Sequence, residues 1–98
     1  MNIVFEITDK KGRKLRMTDY NWNHIVKRHP EMASQKEKII ETLEKPDKTT
    51  TSLEDEEVRY YYKYYKNLRS PYRFVRVIVK YLKEEGFIIS SHFMEAMQ

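Results

Sequence analysis

Residues 58 to 93 are written almost entirely in strand, and that stretch limits the folds open to this chain. Val58, Tyr60, Tyr62 and Tyr64 alternate with Arg59, Tyr61, Lys63 and Tyr65, which is the two-residue period of an extended chain. Residues 66 to 71 (Lys-Asn-Leu-Arg-Ser-Pro) supply a turn. Residues 72 to 82 form the longest strand, with Val75, Val77, Val79 and Tyr81 on one face. Lys83-Glu84-Glu85-Gly86 reads as a tight hairpin turn in which Gly86 takes a positive φ. Residues 87 to 93 make the last strand. Three consecutive strands joined by short turns are an antiparallel meander.

The first half of the chain covers that sheet. Ile3, Phe5 and Ile7 alternate with Val4 and Glu6, residues 8 to 12 turn at Gly12, and residues 14 to 17 return, so the chain opens on a β-hairpin. Thr18 and Asp19 offer capping oxygens for a helix. Trp22, Ile25, Val26 and His29 recur at helical spacing, and Pro30 ends the run by pushing its predecessor out of helical geometry. A second helix is predicted from about residue 34 to 44, with Ile39, Ile40 and Leu43 as its apolar stripe. Pro46 closes it, and residues 47 to 57 read as a polar connection. The expectation is one α+β domain over residues 1–98 in the order β-β-α-α-β-β-β: two N-terminal strands, two helices and a three-stranded antiparallel meander.

Composition narrows the class. Of 98 residues, 40% are hydrophobic and 35% charged, a balance for a folded domain with a modest core. The apolar runs are a few residues long, against the ~20 that a membrane helix needs. Met1-Asn2-Ile3-Val4-Phe5-Glu6 has no basic segment before an apolar block and does not read as a signal peptide. No cysteine is present, which excludes disulfides, thiolate nucleophiles and Cys-based zinc sites, and fits a cytoplasmic location. A net charge of +4 favours a polyanionic partner such as nucleic acid.

The sharpest chemical signal is His24-Ile25-Val26-Lys27-Arg28-His29. With Trp22 set at 0° and ~100° per residue, the core stripe spans ~300° to ~40°. His29 falls inside it at ~340°, while His24 and Arg28 fall together at ~200° and ~240°, off the core. One helical turn thus offers an exposed imidazole beside a fixed cation, and a second imidazole near the sheet. Histidine is the side chain suited to proton transfer near neutral pH, although surface pairs and hydrogen-bonded core histidines are the ordinary alternatives. In the last strand, a strict period of two puts Ile88, Ser90 and His92 on one face and Ile89, Ser91 and Phe93 on the other. Ser90 and His92 together suit phosphate binding and proton transfer. No carboxylate orienter or nucleophile elbow accompanies them, and His24 and His29 diverge by ~140° and lack zinc-enzyme spacing, so no metal is expected. The tyrosine run with Arg59 and Lys63 suits base stacking and phosphate contact.

In their order and spacing, these segments resemble the barnase–EndoU–colicin–RelE superfamily of RNases, especially its phage- and prophage-borne subgroup. The residues that carry the likeness are Trp22-Asn23-His24-Ile25-Val26-Lys27-Arg28-His29-Pro30-Glu31, then Ile39-Ile40-Glu41-Thr42-Leu43-Glu44-Lys45-Pro46-Asp47. The tyrosine-rich strand, Tyr72-Arg73-Phe74-Val75-Arg76-Val77-Ile78-Val79 and Gly86-Phe87-Ile88-Ile89-Ser90-Ser91-His92-Phe93 complete it. The resemblance implies metal- and cofactor-independent cleavage of RNA, tRNA among the candidate substrates, with an immunity protein or antitoxin as a further partner. The family's helical His and basic residue, which face a hydroxyl residue in the last strand, map onto His24, Arg28, His29 and Ser90. His92 stands where the family more often has an aromatic residue.

The chemistry expected is transesterification. His24 or His29 takes the proton of a ribose 2′-OH, which attacks the adjacent phosphorus to leave a 2′,3′-cyclic phosphate. Arg28, Arg73 or Arg76 stabilises the phosphoryl charge, Ser90 bonds the phosphate, His92 protonates the leaving 5′-oxygen, and Tyr62 contacts substrate. A non-catalytic RNA-binding module and a protein-interaction domain of the same fold are the competing readings.

Overall fold

The computed structural model describes residues 2–70 and 72–96. Strands β1 (Ile3–Thr8) and β2 (Lys14–Thr18) form the opening hairpin and lead into helix α1 (Asp19–Arg28). The hairpin loop is organised by Asp9, whose Oδ1 accepts from the backbone N–H groups of Lys11 and Arg13, and Gly12 supplies its positive φ of 82°. Thr18 caps α1 by accepting the Asn21 N–H on its hydroxyl at 3.1 Å. A 3-10 turn (Pro30–Met32) follows, then α2 (Lys36–Glu44), β3 (Lys48–Thr51), β4 (Val58–Tyr64), β5 (Phe74–Leu82) and β6 (Glu85–Met94).

The expected order needs correction. The sheet has six strands in the order β1-β2-β6-β5-β4-β3, where the sequence suggested five: an N-terminal hairpin and a three-stranded antiparallel meander. The additional strand, β3, is the Lys48-Thr49-Thr50-Thr51 run, which pairs antiparallel with the tyrosine strand from Lys48 opposite Tyr62 to Thr51 opposite Arg59. Read alone it is a polar connection, yet threonine is β-branched and takes a strand once a neighbour offers hydrogen bonds. The second difference is that the hairpin joins the meander: β2 runs parallel to β6, Leu15 lying opposite Gly86. The sheet is therefore mixed. The turn expected over residues 66 to 71 includes Pro71, which lies outside the described residues.

Both helices lie on one face of this sheet. Leu15 and Met17 of β2, Val75, Val77, Val79 and Tyr81 of β5 and Ile88 of β6 meet Ile25, Ile39 and Leu43 of the helices in one buried cluster. Each of the β5 valines is fully buried, as the alternation predicts. No helix among the described residues is long and apolar enough to cross a membrane.

Candidate active site on the open sheet face

A β-bulge decides which side chains of β6 share a face. β6 pairs regularly with β5 from Leu82 opposite Glu85 to Val79 opposite Ile88, then slips by one residue, and Ile78 meets Ser90. Ile89 is the extra residue. The slip separates Ile88, which enters the core, from Ser90 and His92, which lie on the opposite face across from Ile78 and Arg76. The strict two-residue period had grouped all three, and it fails because a bulge resets the phase. Ser91, grouped with exposed Ile89 by the same rule, is instead fully buried, and its hydroxyl donates to the Arg76 carbonyl at 3.0 Å.

Helix α1 then completes the site from the side. β2 covers the edge of β6 only from Glu85 to Phe87. Beyond it, Asn21 of α1 donates its Nδ2–H to the Ile88 carbonyl at 3.0 Å, and the His29 ring, at the other end of the helix, lies 5.1 Å from the His92 ring. Eight residues of helix rise about 12 Å and four residues of strand about 13 Å. Helix and strand therefore run side by side in one direction, and Asn21 and His29 mark matching ends.

Three side chains meet at the His92 end. The Arg76 Nε–H donates to His92 Nε2 at 3.0 Å, and the guanidinium carbon lies 5.2 Å from the Tyr60 ring centroid. His29 Nδ1 is 3.8 Å from Glu31 Oε2, an ion pair whenever the imidazole is protonated. Burial above all, and then the positive charge of Arg76 and the His29 ring, pull the His92 imidazole down to about 4. His92 is thus neutral at neutral pH. Its Nε2 lone pair is taken by Arg76, so its proton sits on Nδ1, a buried atom without a hydrogen-bond partner among the described residues. These facts change the role expected for His92. A neutral ring with its accepting nitrogen engaged is no proton donor to a leaving group. Its observed contact is with the Arg76 guanidinium, whose Nε–H it accepts.

The remaining expected residues divide. Ser90 is half-buried on the same face as His92. Tyr62 stands directly opposite Arg76 but is 1% exposed, so it is a wall of the site and offers no free face for stacking. His29 leaves the core stripe assigned to it. As the cap of α1 it has φ −132° and ψ 75°, outside helical geometry, so the helical phase no longer aims its side chain. Arg28 is exposed, seven residues beyond Asn21 and so on nearly the same line of the helix, at the His92 end. His24 is exposed and Arg73 is exposed ahead of β5; no hydrogen bond or ion pair among the described residues draws either side chain to the cluster. Tyr60 and Glu31 are site residues that the sequence reading passed over. Tyr60 had no mark distinguishing it within the tyrosine run, and Glu31 was visible only as the acid following His29-Pro30. No group of three or more metal-ligating side chains occurs among the described residues.

No protein-family model, curated protein or solved structure shows significant similarity to this chain. The site has to be read from its own chemistry.

Proposed function

We propose that this chain is an endoribonuclease that cleaves RNA by attack of a ribose 2′-OH on the adjacent phosphorus, with no metal required because the substrate carries its own nucleophile. The observation behind the proposal is the Arg76 guanidinium, gripped by His92 and backed by Tyr60 on the sheet face away from the helices, with the His29 imidazole at the end of α1 5.1 Å from the His92 ring. A fixed guanidinium suits the charge that develops on phosphoryl oxygens. An imidazole one ring away suits proton transfer to and from the ribose and leaving oxygens. Ser90 adds a hydroxyl on the same face, and Arg28 a cation at its rim. The resemblance of the His24–Glu31 segment and of the last strand to the barnase–EndoU–colicin–RelE RNases points to the same chemistry. A toxin or phage-effector role, with an immunity protein or antitoxin as partner, follows from that resemblance.

The test is incubation of the pure protein with total RNA and tRNA in EDTA, followed by end-group analysis. The expected products carry 2′,3′-cyclic phosphate and 5′-hydroxyl ends. His29→Ala and Arg76→Ala should each slow cleavage by about 10²–10⁴-fold, the worth of one acid–base or charge-stabilising group. RNA left intact, but bound with strong salt dependence, would replace the nuclease with a non-catalytic RNA-binding module.

A further inference from the structure

The helix-covered side of the sheet carries a second concave place, on the face opposite to Arg76 and His92. Arg59 and Tyr61 alternate with Tyr60 and Tyr62 along β4 and so face the helices: Tyr61 packs in the core and Arg59 stands opposite fully buried Val79. Next to them, where the loop of the opening hairpin meets the end of α2, lies a cavity of about 200 Å³. Lys10, Lys11, Arg13 and Arg59 line it, and Asp9 is its one carboxylate among the described residues. Asp9 is already engaged. Its oxygens accept from Arg13 Nε at 2.8 Å, from the backbone N–H groups of Lys11 and Arg13, and from the Tyr81 hydroxyl at 3.3 Å. Lys10, Lys11 and Arg59 have no carboxylate partner among the described residues. Both arginines are held in place. The Arg13 guanidinium carbon lies 4.0 Å from the Tyr81 ring centroid, and Arg59 Nη1 donates to the Glu56 and Val58 carbonyls. Leu43 and Pro46, at the end of α2, add an apolar wall.

We infer that this cavity binds a small organic phosphate, its phosphoryl group at Arg13 and Arg59 and a compact apolar body against Leu43 and Pro46. Four cations and one carboxylate leave an excess of three positive charges around one small space. That excess is self-repelling, and a dianion relieves it more than a monoanion does. Guanidinium groups match phosphoryl oxygens in geometry as well as charge. Because the two arginines are already positioned, little side-chain freedom is lost when the ligand enters. Lys10 and Lys11, exposed on the hairpin loop, draw an anion toward the opening. The same features favour a small molecule over a nucleic-acid strand. Each phosphodiester carries one charge where a phosphomonoester carries up to two, and buried Tyr61 offers no free ring face on which a base could stack. The site is independent of the ribonuclease reading and stands whether or not the open face cleaves RNA.

The test is calorimetric and NMR titration of the full chain with phenyl phosphate at about pH 8, where the probe is a dianion. Inorganic phosphate, phenyl sulfate and a short single-stranded DNA serve as comparisons. Phenyl phosphate should bind saturably at one site and shift the backbone amide signals of Lys11, Gly12 and Thr49. Phenyl sulfate, with one charge, and inorganic phosphate, with no apolar body, should each bind roughly tenfold more weakly. Arg59→Gln should weaken phenyl phosphate by roughly ten- to hundred-fold, the worth of a charged hydrogen-bonding group. The double variant Lys10→Gln/Lys11→Gln, confined to exposed loop positions, should weaken it less and keeps the test valid if Arg59→Gln fails to fold. Arg76→Ala should leave the affinity unchanged. Inorganic phosphate binding as tightly as phenyl phosphate would overturn the organic ligand, and no saturable binding would overturn the site. DNA binding more tightly than phenyl phosphate, with loss in Arg59→Gln, would make the cavity part of a nucleic-acid surface instead. Affinity lost in Arg76→Ala would place the probe on the open face and sink the inference.

Discussion

Arg76 and His92 form the contact on which the proposed chemistry depends, and its cost is a neutral imidazole. The ordinary value for histidine is 6.5, and His92 in the fold sits at about 4. Between those values the unfolded chain takes up a proton that the folded chain refuses, so stability falls as pH drops from about 6.5 to about 4 and is unaffected by this group above that window. For a half-buried ring, after allowing for solvent screening, the loss is on the order of 1–2 kcal/mol. The urea midpoint should therefore fall between pH 7 and pH 4.5, and fall less in His92→Gln, whose amide oxygen can still accept from Arg76 without titrating. That variant should also keep much more activity than His92→Ala; equal damage would mean the acceptor is not what matters. The two helical histidines give a second comparison. His24 is exposed and makes no hydrogen bond or ion pair with the cluster among the described residues, so His24→Ala should retain most cleavage under conditions where His29→Ala loses it. The reverse result would return the base to His24.

Among the elements, β6 departs furthest from its sequence pattern. Gly86 reads as a turn glycine, yet the positive φ of that turn belongs to Lys83, at 59°, and Gly86 lies inside the strand. Its role is close approach: a Cβ there would stand 2.6 Å from Leu15 Cδ2 and 3.0 Å from the Tyr81 ring and a Val79 methyl. Gly86→Ala should destabilise by about 1–3 kcal/mol through overpacking where the hairpin meets the meander. Lys83→Gly should stabilise by roughly 0.5–1 kcal/mol by removing a side chain from left-handed geometry. Chemical denaturation of both variants checks the pair, and a harmless Gly86→Ala would show that the β2–β6 joint is looser than this packing requires. At the bulge, Ile89 looks like one more strand residue. Only its position opposite the β5 register makes it the extra one.

For the molecule as a whole, one apolar layer holds helices and sheet together. Val77 sits at its centre, fully buried opposite Ser91 and Tyr61. Val77→Asp would put an unpaired carboxylate into that layer, at a cost of several kcal/mol against a typical stability of about 5–15 kcal/mol. The variant should be unfolded, or melt far below the parent, by circular dichroism. A melting temperature within a few degrees of the parent would contradict the observed core. The opposite face escapes this constraint and can carry Arg76, His92 and Ser90, because it has no helix to pack against.

The local patterns were sufficient for both helices, the opening hairpin, the three long strands and the valine face of β5, since each is written in residues two to four apart. His29, Ser90, His92 and Arg76 could be named from those patterns as chemistry-bearing residues. Their grouping could not. The parallel pairing of Leu15 with Gly86 joins segments some seventy residues apart and leaves no local trace. The strand at Lys48–Thr51 exists because the tyrosine strand offers it hydrogen bonds. The bulge at Ile89, which turns Ser90 and His92 away from the core, arises from register between two strands and from nothing in either alone. Tertiary structure also neutralised His92, because burial and the neighbouring guanidinium set its charge, and these depend on what packs around a ring and not on its place in the chain.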